Sequence, residues 1–508
     1  MFFIRICLSS IASKAAVYST EPWTGRVPPL TEMLGADALQ NAFPLYHIKK
    51  QNPYGVRGRG VLDSIDAHGK TIAGNVIQPS IGNEAEYYVK MQLGTLAQDI
   101  LLLLDTGSSL FWTQCANCNP CVPAPTDANY DPRNSTTFKS TNTSKSISYV
   151  DGPFSSGNIS TDTLTINSGY GNRVVFQNFE FLCTTNNSNP TGLNVGSGFL
   201  GMDLQSVFLV QLQNRSESIV FRYCFPNGDK APNATSFLSI GPIEKEFLPK
   251  TDISGLHSVD IGLVQLVWLL TSPYCFPNGD KAPNATSFLS IGPIEKEFLP
   301  KTDINEMVYT PLRSDLYNLY GFEKVVLNLT GISVACQRLD IDINALNSPA
   351  ILEEVELPAF NITILDSGTT FTRLPPSVVS VIQGAFNNAT NLNLNSMLLD
   401  LEAGCAPLLC SKATEDQQFA LSFPSLSYFF PKYGVGVHDE IEVVVPGDGM
   451  LIRYNNQTIC LPICGVLDNA GNETVNIIDN RDQRNLLVEY DYEKLVVGFQ
   501  RTVCGFEE

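Results

Sequence analysis

Two short segments hold the residues best suited to chemistry, Asp105-Thr106-Gly107-Ser108 and Asp366-Ser367-Gly368-Thr369. Each follows an apolar run, Leu101-Leu102-Leu103-Leu104 in the first and Ile362-Thr363-Ile364-Leu365 in the second. A run without polar alternation predicts a strand buried on both faces. A carboxylate at the end of such a strand is costly unless hydrogen bonds or chemistry compensate. One copy alone is consistent with a plain strand and turn. Two copies, each with a hydroxyl three residues after the aspartate, point to a pair. Two carboxylates held close together cannot both ionise, so they share one proton. The ionised member can take a proton from a water between them, while the protonated member donates to an amide carbonyl oxygen. That is amide hydrolysis with no covalent intermediate. Gly107 and Gly368 let the turns bend sharply and approach each other. Ser108 and Thr369 place hydroxyls within reach of the outer carboxylate oxygens, and Thr106 and Ser367 complete the two loops.

The elements that must position this pair read as β-rich from Glu86 onward. Tyr87-Tyr88-Val89-Lys90-Met91-Gln92-Leu93 precedes the first apolar run, and Trp112 follows Asp105 by seven residues. Ser148-Tyr149-Val150-Asp151-Gly152 reads as a hairpin. Gly198-Phe199-Leu200-Gly201-Met202 is a short apolar element, and the spacing of Leu204, Phe208 and Leu212 predicts a helix over 204–213. Pro375-Pro376 opens a second predicted helix, running to Asn388.

With both Asp loops, Trp112, Phe221-Arg222-Tyr223-Cys224, Leu329-Thr330-Gly331-Ile332-Ser333-Val334 and the closing Val488-Glu489-Tyr490-Asp491 in view, the chain resembles the pepsin-like aspartic proteases, most closely the plant nepenthesin-type branch. The resemblance covers roughly 86–504, and the shared-proton pair is that family's own chemistry. It implies an all-β, bilobal fold, two barrel-like lobes with a cleft between them and a few short helices. Asp105 and Asp366 are then the catalytic pair, Tyr149 the flap residue that closes over substrate, and Trp112 the tryptophan behind the flap. The family's Tyr-Gly-Asp-Gly flap reads Tyr149-Val150-Asp151-Gly152 here, and its second apolar-apolar-Gly element reads Ile477-Ile478-Asp479. If that glycine permits close packing, Asp479 strains the support behind Asp366. The resemblance also implies a disulfide between Cys410 and Cys460, with Cys405 and Cys464 as a companion pair.

Composition narrows the alternatives. The 508-residue chain has 44% hydrophobic residues and a formal charge of −19. It can build a large core, and its acidity excludes nucleic acid as a partner, since phosphates need a basic surface. An acidic surface suits an acidic compartment. Of 13 cysteines, Cys115, Cys118 and Cys121 crowd together. Zinc and disulfides are both open for them, but no fourth ligand follows at a usable distance, which favours disulfides and an oxidising compartment. A dozen Asn-x-Ser/Thr sequons, including Asn134, Asn158, Asn328 and Asn472, agree with the secretory pathway and an extracellular or vacuolar destination. Of four histidines, His47 and His68 fall in the leader and His257 between two repeated segments, which leaves His438 alone in the expected mature lobes, so Ser-His-Asp, Cys-His and His-Glu-x-x-His chemistries drop out. No cofactor or metal is expected; the partner is a protein or peptide substrate, the chain is a monomer, and no segment reaches the ~20 apolar residues of a membrane span.

Residues 1–19 read as a poor signal peptide, with Arg5 inside a short apolar stretch. Residues 20–83 carry Lys49, Lys50, Arg57 and Arg59 and read either as a disordered leader or as a propeptide whose cations cap the acidic pair. The first lobe spans 84–304 and the second 305–508. Within the first, 223–253 recurs residue for residue as 274–304, an offset of 51. Two identical copies are unlike a solenoid. Only one can occupy the native position, which leaves 254–304 as surplus. The rival function is a non-catalytic binding protein on the same fold, such as an inhibitor of cell-wall-degrading enzymes.

Overall fold

The structure is a computed structural model. It describes residues 42–47, 86–240 and 307–501, except 122–128, 149–153, 168–172, 188–195, 214–219, 226–235, 315, 317–323, 342–350, 353–354, 357–361, 391, 398–406, 413–422, 435–438, 456 and 466–474. Its described elements are strands with three short α-helices and one 3-10 turn, arranged mainly in sheets of thirteen, eight and four strands. This is the all-β fold expected.

The first apolar run forms the strand Gln98–Asp105, with Leu102, Leu103 and Leu104 fully buried. It pairs antiparallel with Tyr87–Leu93 on one side and parallel with Gly198–Gly201 on the other. Both edges are hydrogen-bonded and both faces packed, which is why the run is uninterruptedly apolar. The second lobe repeats the arrangement. Thr363–Leu365 pairs parallel with Asn476–Ile478, again with an Asp loop at the strand end.

Gly201 shows why its position needs glycine. A Cβ there would lie 2.6 Å from Leu110 N and from the Ser109 carbonyl carbon. The corresponding position in the second lobe holds Asp479. Its N–H donates to Thr372 Oγ1 at 3.1 Å and its Oδ1 accepts the Asp482 N–H at 2.8 Å. The expected cost falls on electrostatics, since Asp479 is fully buried.

The predicted helix over 204–213 begins later, at Val207, and ends at Gln213. Ser206 decides this: its Oγ donates to Gly201 O at 2.5 Å and accepts the Leu209 N–H at 3.2 Å, an N-terminal cap that holds 203–206 as a turn. The second helix runs Pro376–Ala389, as Pro at the first turn permits.

The lobes share a sheet. Val220–Cys224 lies between Ser236–Ile240 and Leu486–Asp491, and Leu486–Asp491 continues into Val496–Arg501 and Val308–Pro311. The end of the chain therefore builds the floor between the lobes. Ala42–His47 is a strand of the same sheet, between Ser236–Ile240 and Tyr87–Leu93. The second repeat copy, 274–304, and the filler before it lie outside the described residues.

Three disulfides join described residues: Cys115 to Cys183, Cys118 to Cys121, and Cys410 to Cys460. Cys464 is also disulfide-bonded, while Cys405 lies outside the described residues. No group of acidic, cysteine or histidine side chains among the described residues could hold a metal ion. No described helix is long and apolar enough to cross a membrane.

Candidate active site

The two Asp loops face each other and repeat one pattern of hydrogen bonds. Gly107 N–H donates to Asp105 Oδ1 at 2.9 Å and Ser108 Oγ donates to Asp105 Oδ2. Gly368 N–H donates to Asp366 Oδ1 at 2.8 Å and Thr369 Oγ1 to Asp366 Oδ2 at 2.6 Å. Each carboxylate is thus held on one inner and one outer oxygen by its own loop. These charge-assisted bonds fix the orientation of both groups.

The residues between aspartate and glycine lock the loops together. Thr106 Oγ1 donates to Leu365 O at 2.8 Å and accepts the Ser367 N–H at 2.9 Å. Ser367 Oγ donates to Leu104 O at 2.8 Å and accepts the Thr106 N–H at 3.0 Å. Four buried backbone groups are satisfied by two hydroxyls, each from the opposite loop. Thr106 and Ser367 are themselves fully buried, so the interlock is shielded from competing water.

Close approach is visible at the glycines. A Cβ on Gly107 would come within 2.8 Å of the Asp366 carboxyl carbon, and one on Gly368 within 2.8 Å of Asp105 Oδ1. Each carboxylate therefore lies against the other loop's glycine. The pair is not symmetric in exposure: Asp105 is 4% exposed, and Asp366 is half-buried. Burial raises the Asp105 carboxyl well above the ordinary carboxylate range, and the Asp366 charge raises it further. The Ser108 hydroxyl, the Lys324 cation and the Gly107 N–H act the other way. Such a pair keeps one proton between its two members and can act as acid and base together.

Trp112 is fully buried and stacks on Phe199 with ring centroids 5.2 Å apart, in a cluster with Tyr88, Leu103, Leu110 and Leu182. Tyr149 and Val150 lie outside the described residues, as does His438. The aspartates, their hydroxyl partners and the two glycines come together.

Behind Asp366 runs a buried polar turn that starts at Asp479 and extends to Asn480 and Asp482, which the sequence motifs do not include. Asp366 N–H donates to Ile478 O at 3.0 Å, and Asn480 N–H donates to Thr369 O at 3.0 Å. Asn480 Nδ2 reaches Ser367 O at 3.1 Å. Asp482 accepts from Thr372 Oγ1 at 2.9 Å and Tyr428 OH at 2.5 Å. The signal available for it was Asp479 directly after the apolar pair Ile477-Ile478.

The family comparison agrees with this geometry. The model of the eukaryotic aspartyl protease family matches residues 86–222, and that of the xylanase inhibitor C-terminal family matches 326–501. A probable aspartic protease of Arabidopsis thaliana is 30% identical over 449 residues, covering 84% of this chain and 82% of the relative. The chain belongs to the aspartic protease family. Aspartic proteinase nepenthesin-1 of Nepenthes gracilis is 25% identical over 446 residues, 83% of this chain and 79% of that protein.

Proposed function

We propose that this aspartic protease is an active endopeptidase that hydrolyses peptide bonds of protein substrates at acid pH, with Asp105 and Asp366 as the working pair. The observation that carries the reading is the reciprocal interlock of Thr106 and Ser367, which holds the two carboxylates against each other's glycine. A water bound between them loses a proton to the ionised carboxylate as its oxygen attacks the scissile carbonyl. The protonated carboxylate donates to the carbonyl oxygen, and the tetrahedral intermediate collapses with proton transfer to the leaving amine. This chemistry uses the two aspartates and water alone. Tyr149 closes over the substrate in this reading, with Trp112 behind it.

Residues 20–83 act as a propeptide. The strand Ala42–His47, seated in the central sheet, supports this over a wholly disordered leader. The mature enzyme spans the two lobes, 84–304 and 305–508, travels the secretory pathway as a monomeric glycoprotein, and works outside the cell or in the vacuole.

A second reading has one observation in its favour, the xylanase inhibitor C-terminal family model over the second lobe. On it the protein binds a cell-wall-degrading enzyme and cleaves nothing. Acid-treated protein incubated with an unfolded protein substrate, with and without an aspartic-protease transition-state mimic, separates the two. Cleavage blocked by the mimic and absent in D105N and D366N supports the protease. Full activity in either variant removes that residue from the mechanism.

A further inference from the structure

Asp203 follows the strand Gly198–Gly201 and is fully buried. Its N–H donates to Ser108 O at 3.0 Å, and the preceding Met202 N–H donates to Asp105 O at 2.8 Å. The backbone at 202–203 is thus the floor of the first Asp loop. The Asp203 side chain accepts the Gln205 N–H on Oδ1 at 3.0 Å. Its Oδ2 faces Lys324 Nζ at 3.7 Å.

Lys324 comes from the second lobe, just before the strand Val326–Leu327. Its side chain is 28% exposed, while that of Asp203 is wholly enclosed. A carboxylate buried beneath the loop would be strongly unfavourable alone, and a cation from the opposite lobe offsets that cost. The same cation acts on Asp105.

We propose that Lys324 and Asp203 form an inter-lobe charge pair that positions the Asp105 loop and sets the pH range over which the two catalytic-type carboxylates work. Both are positioning residues, since neither touches the reacting atoms. The proposal rests on the reading of Asp105 and Asp366 as the working pair.

The other groups around this point are accounted for. Asp366 faces Asp105 from the second Asp loop, and Ser108 and the Gly107 N–H come from its own loop. Tyr492, from the end of the chain, donates to Met202 O at 2.6 Å and stays neutral, with burial, Tyr490 and Asp203 all raising its hydroxyl. Tyr223 and Tyr490 lie on the Asp366 side and are likewise held neutral. Among the described residues, Lys324 and Asp203 are the charged side chains that this geometry sets beneath the first Asp loop.

The signs follow from Coulomb's law. The lysine favours ionisation of the aspartate pair, and the buried carboxylate opposes it. Removing the cation alone leaves a negative charge under Asp105, so the pair holds its protons to higher pH. Removing the anion alone leaves the lysine unbalanced, so the protons leave at lower pH. Shifts of about half a pH unit or more are expected for charges this close in a partly buried site.

The test uses the full chain as wild type, K324M, K324R, D203N and K324M/D203N. Two measurements are made on each: the pH profile of kcat/KM on an unfolded protein substrate, and the carboxyl titration by 13C NMR, as a difference from D105N. K324M should move both limbs of the profile and the titration upward, and D203N should move them downward. K324R should match wild type, and the double variant should return towards it. A purely structural role would lower activity in both single variants without opposite shifts. Unmoved titrations, or shifts of the same sign in K324M and D203N, overturn the proposal. If wild type cleaves nothing at any pH, the protease reading fails and the carboxyl titration still decides the charge pair. D203N keeps the shape of the buried side chain and is decisive alone should K324M not fold.

Discussion

At the scale of single residues, Asp105 combines three burdens: near-complete burial, the Asp366 charge, and a position after the fully buried Leu102, Leu103 and Leu104. A carboxyl whose folded pKa is raised binds its proton more tightly when folded. Its contribution carries no penalty below the ordinary carboxylate pKa, and destabilises progressively as pH rises above about 4. D105N removes the ionisable group while keeping its shape. The expected Tm of D105N equals wild type at pH 3 and exceeds it at pH 7, while cleavage falls at least about a thousandfold. Thermal unfolding at the two pH values, beside an activity assay, checks both halves. Wild-type activity should decline as pH rises and the shared proton is lost. Thr106 carries a different kind of load. T106V keeps the volume but leaves Ser367 N–H and Leu365 O without their partner, each inside the protein. A loss of about 3 kcal/mol is expected, read from denaturant unfolding, and a variant as stable as wild type would show the interlock to be dispensable.

At the scale of elements, the buried turn at 479–484 supports the second Asp loop from behind. Burial, then the Asp482 charge, raises Asp479 well above the ordinary range, and burial raises Asp482 to about 6. The Tyr428 and Thr372 hydroxyls and the nearby Arg481 and Arg484 pull Asp482 back. Arg484 Nε also donates to Tyr87 OH at 3.2 Å, tying the turn to the first lobe. Both carboxyls are raised, so the element is most stable in acid and loses stability from about pH 4 up through pH 6. D482N should flatten this fall without moving the acid end, as measured by Tm across pH 3 to 8. An unchanged slope would remove Asp482 from the pH response. Asp479 Oδ2 has no hydrogen-bond partner among the described residues, so D479N is expected to flatten the slope as well.

At the scale of the whole molecule, the central sheet determines what the repeat can do. Ser236–Ile240, the strand inside the first repeat copy, is paired on both edges, by Val220–Cys224 and by Ala42–His47. A second identical strand has no vacant place there. A chain lacking 254–304 should therefore fold, express at least as well, and keep its Tm and any cleavage activity; misfolding of that deletion would show the surplus to be structural. The Cys410–Cys460 bridge closes 50 residues across paired strands, Leu408–Lys412 and Thr458–Gly465. Replacing both cysteines by serine should cost about 4 kcal/mol, or a Tm lower by about 10 °C.

The residues themselves determined the Asp loops, the all-β class and the buried character of the strand before Asp105, because each is a local signal of pattern and spacing. Resemblance carried the Cys410–Cys460 pairing as well. The tertiary structure alone decided the partner of Cys115, which is Cys183 rather than a neighbour in the cluster. It alone brought Thr106 to Ser367 across 261 residues, made Asp105 the more buried of the pair, and set Lys324 beneath its loop. It also showed that the carboxyl of Asp479 is fully buried beside Asp482. The reason is common to all of these. Strand periodicity says which face is buried, but not which distant strand will lie alongside, and charges acquire their energies only from the neighbours and the burial that the pairing creates.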